Sequence, residues 1–178
     1  MKSFTTKRLL IRPLEETDKA FYISLYSDAK IMRNIGPPLT SIEATEAFTN
    51  TLTVMQKKKP KVMVWVIIDL KSNNLIGLQA LYNKTPNITE IGIMLATQFN
   101  GMLFPEEAIG SLIEYGFNHL NLQQINAHFA KANLATARVA KKTGFVCDTS
   151  KQPLDSQQRI DSVYKDTWHR HYIKTIIG

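Results

Sequence analysis

Glu90-Ile91-Gly92-Ile93-Met94-Leu95-Ala96-Thr97-Gln98-Phe99-Asn100-Gly101-Met102-Leu103-Phe104-Pro105 runs from an apolar strand-like segment through a glycine-bearing turn into the start of a helix. Such a turn is a place for phosphate, because unpaired N–H groups and the positive end of the helix dipole meet there. Pro105 stands where a helix opening tolerates a residue without an N–H. Beyond it Ile109, Leu112, Ile113, Phe117 and Leu120 repeat with helical spacing, predicting a helix over 105–119.

Working outward, residues 62–69 and 75–82 are rich in β-branched and apolar side chains, and Ser72-Asn73-Asn74 supplies a turn between them. A second turn over 83–87, with Pro86, leads into a strand at 89–96, so these three strands read as an antiparallel meander. After the long helix comes a strand at 124–129. Asn133-Leu134-Ala135-Thr136 opens a short helix over 134–142, which Gly144 can end with positive φ. Residues 145–147 begin another strand, 150–159 read as a polar loop, and 160–168 return as a last strand beside the preceding one.

Toward the N-terminus, Leu9-Leu10-Ile11 form a first strand that Pro13 closes. Thr17 or Asp18 caps a helix reaching about Ser27, with Phe21, Leu25 and Ala29 on its buried face. After the Gly36-Pro37-Pro38 turn, Thr40 and Glu43 make a capping box for a second helix carrying Ala44, Ala47, Phe48, Leu52 and Met55. The order β-α-α-β-β-β-α-β-α-β-β is a mixed α/β fold, mostly antiparallel. Its one helix crossover sets two strands parallel and should be right-handed.

Length and a 44% hydrophobic content fit one domain over residues 1–178. Charges return soon after Met1, before any apolar run long enough for a signal peptide or a membrane span, so a soluble cytoplasmic protein without a membrane partner is expected. Cys147 is the one cysteine and excludes an internal disulfide; with no histidine beside it in sequence, it reads as a half-buried thiol near a strand. His119, His128, His169 and His171 lack metal-ligand helix spacing, which argues against a metal enzyme. The net charge of +7 favours anionic partners. Part of it is a solvated loop, Lys57, Lys58, Lys59 and Lys61 around Pro60, and no aromatic-interleaved basic motif points to nucleic acid.

These residues in this order resemble the GNAT N-acetyltransferases, in particular the ribosomal-protein N-terminal acetyltransferase (RimJ/RimL-like) branch. The resemblance runs from Thr6-Lys7-Arg8-Leu9-Leu10-Ile11-Arg12-Pro13-Leu14, through Ser27-Asp28, Met32-Arg33 and Glu90-Ile91-Gly92, to Tyr164 and Trp168. It implies a central sheet splayed between strands 89–96 and 124–129 and acetyl-CoA as co-substrate. In the family's phosphate loop, Q/R-x-x-G-x-G/A, Gln98 and Gly101 match, whereas Leu103 stands where glycine or alanine is usual and its bulk can obstruct close approach. The implied cofactor contacts are the backbone around Met94 and Leu95, the loop residues Gln98, Asn100, Gly101, Met102, Leu103 and Phe104, and Asn133 with Thr136.

The resemblance further makes Glu90 the candidate general base, or else a residue that positions the amine, and gives Thr136 the leaving sulfur. Ala140 occupies the place where many members carry a tyrosine acid. Tyr164 and Tyr172 are considered as substitutes and read better as packed or interfacial rings. The acceptor is expected to be a primary amine, on a protein N-terminus or a small molecule, bound by the first two helices and the last loops. Phe21, Tyr22, Tyr26, Met32 and Phe48 in that region are assigned to the core. The last strand and residues 172–177 could form a homodimer contact. Two other readings stay open at this point: a degenerate domain that binds CoA or a partner without catalysis, and a ribosome or RNA binder.

Overall fold

In the computed structural model, which describes residues 1–147 and 157–169, the meander forms where β-branched residues cluster. β3 (Val62–Asp69), β4 (Leu75–Thr85) and β5 (Ile88–Leu95) pair antiparallel in chain order. The β3–β4 turn is closed by the Asp69 carboxylate, which accepts hydrogen bonds from the Ser72 hydroxyl at 2.6 Å and from the Ser72 and Lys71 backbone N–H groups. Asn73 takes the left-handed φ of 56° that this turn needs and that asparagine tolerates.

Around the meander lie β1 (Phe4–Thr5), β2 (Leu9–Pro13), β6 (Gln124–Ala130), β7 (Val146–Cys147) and β8 (Gln158–Tyr164). The eight strands form one sheet in the order β1-β2-β3-β4-β5-β6-β8-β7, and only β5 and β6 run parallel. Their connection contains α4 (Phe104–His119), as a parallel pair requires. That ladder is short, from Ile88↔Gln124 to Ile91↔Ala127. Beyond it β5 continues paired with β4 alone and β6 with β8 alone, so the sheet opens into the expected splay.

One face of the sheet packs on α4, burying Trp65, Ile67, Ile76, Leu81, Leu112 and Ile113. The other face is covered by α1 (Lys19–Tyr26) and α3 (Ser41–Met55), with Tyr22, Leu25, Phe48, Val66 and Leu78 inside. Each buried Leu, Ile or Phe contributes about 1.5–3 kcal/mol, so these two layers fix the sheet around the opening. Gly77 is needed for that sheet: a Cβ there would run into the Met94 carbonyl oxygen and the Leu95 side chain on the neighbouring strand.

Several local expectations change. β1 was not anticipated, because two residues carry no periodicity. Asp18 starts α1, but its carboxylate does not cap it: Arg12 grips it through two 2.7 Å contacts and the Glu15 N–H donates to it at 2.8 Å. Ala29 is exposed and opens a separate short helix, α2 (Ala29–Met32), capped by Asp28. The Thr40–Glu43 capping box forms as read. Cys147 is exposed rather than half-buried, since β7 is an edge strand paired on one side only. Most of the expected 150–159 loop, and all of Tyr172 and the 172–177 contact, lie outside the described residues. Among the described residues no helix is long and apolar enough to cross a membrane.

Candidate active site

The opening between β5 and β6 leads into a cavity of about 470 Å³. One wall is β5 from Glu90 to Leu95; the facing wall is Ala127, His128 and Phe129 of β6 with Thr136, Val139 and Ala140 of α5 (Leu134–Lys142). Asn100 and Pro105 line it near the start of α4, whereas Tyr26, Asn34, Ile35 and Tyr82 line it toward Glu90.

Strand geometry decides which amides look into this space. The Ala96 N–H donates to the Ile76 carbonyl on β4 at 2.9 Å. Backbone direction alternates along a strand, so the Met94 N–H also turns to β4 and those of Ile93 and Leu95 turn to the gap. Of the two amides expected there, that of Leu95 faces the gap, beside that of Ile93, and that of Met94 faces β4. The Met94 side of the strand still lines the cavity.

The phosphate loop follows a 3-10 turn at Thr97–Phe99. Gly101 has φ 79° and Leu103, the residue before α4, has φ 60° and ψ 14°, the left-handed region. The family's preference for a small residue at the Leu103 position therefore has a conformational cause, and leucine meets the demand at about 1–2 kcal/mol. Leu103 is 39% exposed and, like Gly101 and Met102, is not among the cavity-lining residues. The N–H groups of Gly101, Met102 and Leu103 have no protein partner among the described residues. With the α4 N-terminus beside them, they fit a pyrophosphate.

Two of the expected loop contacts are placed elsewhere. Gln98 lines a separate cavity with Phe21, Leu25 and Asp28 on the α1 side of the sheet. The Phe104 ring is buried, edge-on to Phe99 and 4.4 Å beneath the Arg8 guanidinium, because it belongs to the apolar first turn of α4. On the opposite wall, Asn133 caps α5: its side-chain oxygen accepts from the Thr136 N–H at 3.2 Å, and both residues line the cavity. Ala140 is buried on that wall. Tyr164 on β8 is not among the cavity-lining residues.

Glu90 is 20% exposed and lies 2.9 Å from Lys84 Nζ and 3.2 Å from His128 Nε2. The parallel register places Glu90 opposite Asn126, which sets His128 two residues further along the facing strand. No spacing in the sequence marks His128 as a partner of Glu90, since their nearness exists only once the crossover has formed. Tyr26 was assigned to the core but lines the cavity, with its ring stacked on Tyr22 at 4.4 Å. Burial, with the neighbouring Tyr82 and Tyr22 hydroxyls, pushes the Tyr26 phenol well above its usual range. It stays protonated at neutral pH.

A sheet opened between parallel strands, with unpartnered amides at a helix start on one side of the gap and a carboxylate beside an imidazole on the other, is the architecture of an acyltransferase. Residues 8–146 match the acetyltransferase (GNAT) domain. The uncharacterized N-acetyltransferase YnaD of Bacillus subtilis (strain 168) is 31% identical over 141 residues, 79% of this chain and 80% of its own. Among solved structures, the spermidine N-acetyltransferase of Vibrio cholerae in complex with CoA and spermine superposes with a TM-score of 0.75 at 24% identity, covering 94% of this chain and 99% of that one. The ribosomal-protein-S5-alanine acetyltransferase of Vibrio fischeri gives 0.75 at 17%, covering 95% and 100%. The chain belongs to the GNAT acetyltransferase family: it is an acetyltransferase, and acetyl-CoA is its co-substrate.

Proposed function

We propose that this chain moves the acetyl group of acetyl-CoA directly to an acceptor carrying a single primary amine, a protein N-terminus as in the RimJ/RimL-like branch or a small monoamine. The observation that carries the reading is the cavity's charge: among the described residues Glu90 is the only carboxylate lining it, and Lys84 already pairs with it at 2.9 Å. A polyamine with several cations finds no further anion there, and a net charge of +7 repels it at long range. The aromatic and amide side chains of Tyr26, Tyr82 and Asn34 suit a neutral or apolar carrier for one amine.

Acetyl-CoA supplies the activated acyl carbon, held by the Gly101–Leu103 amides, Asn100 and Asn133. An ammonium must lose its proton before its nitrogen attacks, and the Glu90–His128 pair accepts that proton. The Ile93 and Leu95 N–H groups on the lip of the gap hold the carbonyl oxygen as negative charge builds on it. The Thr136 hydroxyl donates to the departing sulfur; a thiol with a pKa of roughly 8.5 leaves with modest help. One N–C bond forms and one C–S bond breaks.

A thiol-release assay with acetyl-CoA and a panel of spermidine, monoamines and peptides with free N-termini tests this. Monoamines or peptides should exceed spermidine, and Glu90→Gln should lower kcat by roughly 10²–10⁴-fold with CoA affinity retained. Spermidine as the best acceptor would sink the acceptor class, and unchanged turnover in the variant would make Glu90 a spectator.

A further inference from the structure

We infer that Arg8, far from the acceptor, is a positioning residue for the CoA phosphates: it holds the Met102–Leu103 peptide in the orientation that leaves the loop amide free for an anion. The inference rests on the phosphate-loop reading above.

Arg8 Nη1 donates to the Met102 carbonyl at 2.8 Å, and Arg8 Nε donates to Glu107 Oε2 at 2.6 Å. Its guanidinium lies over the Phe104 ring. Glu107, in the first turn of α4, is fully buried and also accepts from the Arg8 N–H at 2.9 Å and the Thr6 hydroxyl at 2.6 Å. The turn between β1 and β2 is thereby fastened to the helix start, and Arg8 is the arm that reaches from this anchor to the loop. Among the described residues no peptide bond is cis. In a trans peptide C=O and N–H point in opposite directions, so a Met102 carbonyl held toward Arg8 sends the Leu103 N–H the other way. That N–H is one of the three with no protein partner among the described residues. A planar fork fixed by a buried carboxylate can hold this geometry, whereas the flexible ammonium of lysine cannot.

The role predicts a loss specific to phosphate. Calorimetric titration of Arg8→Met, which keeps the apolar stem over Phe104, should show CoA binding about tenfold weaker. Pantetheine, the same arm without phosphates, should bind as it does to the wild type. Arg8→Lys should resemble Arg8→Met. Comparing the two ligands on one preparation separates the effect from a smaller folded fraction, because misfolding lowers the binding stoichiometry for both. Equal weakening of both ligands, or unchanged CoA affinity in Arg8→Met, would overturn the inference, as would full recovery in Arg8→Lys. A wild type that binds CoA no more tightly than pantetheine would overturn the phosphate-loop reading itself.

Discussion

Replacing Gln79 by methionine should make the protein more stable. Gln79 sits in mid-sheet on β4, between Trp65 of β3 and Ile93 of β5, on the side packed against α4. It is 1% exposed, and neither its carboxamide nitrogen nor its oxygen has a protein partner among the described residues. A buried polar group left without a hydrogen bond costs about 1–3 kcal/mol. Methionine has nearly the same length and volume, and swaps of that kind cost less than about 1.5 kcal/mol in packing. The balance favours Gln79→Met by about 1–2 kcal/mol. At roughly 2–4 °C per kcal/mol for a chain of this size, Tm should rise by about 2–8 °C without ligand. Thermal unfolding followed by circular dichroism measures this, and a urea titration should move its midpoint at constant slope. An unchanged or lowered Tm would refute the reasoning, because it would mean that the carboxamide is satisfied through solvent in the adjoining cavity.

Leu103→Gly should leave the calorimetric Kd for CoA within about threefold of the wild type, since the backbone is already left-handed without ligand and the side chain is not among the cavity-lining residues. Tightening beyond about tenfold would show that the side chain had been blocking the phosphates. The Ser72 hydroxyl, ahead of the backbone N–H donors, holds the Asp69 carboxyl below the ordinary aspartate range. Its contribution is therefore fully present above about pH 3.9, where an unfolded aspartate titrates, and is lost as pH falls through the lower folded value. Ser72→Ala should lower Tm at pH 7 and converge on the wild type near pH 2; an equal deficit at both would exclude this linkage.

Much of the fold is legible in the chain because its elements are long and strongly patterned. β3 and α5 begin and end where composition and capping residues place them, and the Thr40–Glu43 box marks the start of α3. What escapes is either too short for a pattern, as with β1 and α2, or decided by a competing partner, as when Arg12 takes the Asp18 carboxylate that local propensity assigns to a helix cap. The candidate site divides the same way. Glu90, Asn133 and Thr136 carry local signals and meet in the cavity. His128 reaches Glu90 only through the parallel register, Arg8 reaches Glu107 across 99 positions of sequence, and Gln98 points away because the 3-10 turn before Asn100 rotates it toward α1. None of these pairings leaves a trace in spacing or composition.

The four-pair ladder between β5 and β6 also has a mechanical meaning. The strands on either side are held by longer antiparallel pairings, so this seam is where subglobal opening of the molecule should begin. A ligand that touches both lips of the gap binds only the closed form, and mass action then makes the opening frequency fall as ligand concentration rises. With acetyl-CoA as the proposed ligand of this gap, the durability of the whole protein would follow the supply of its own co-substrate.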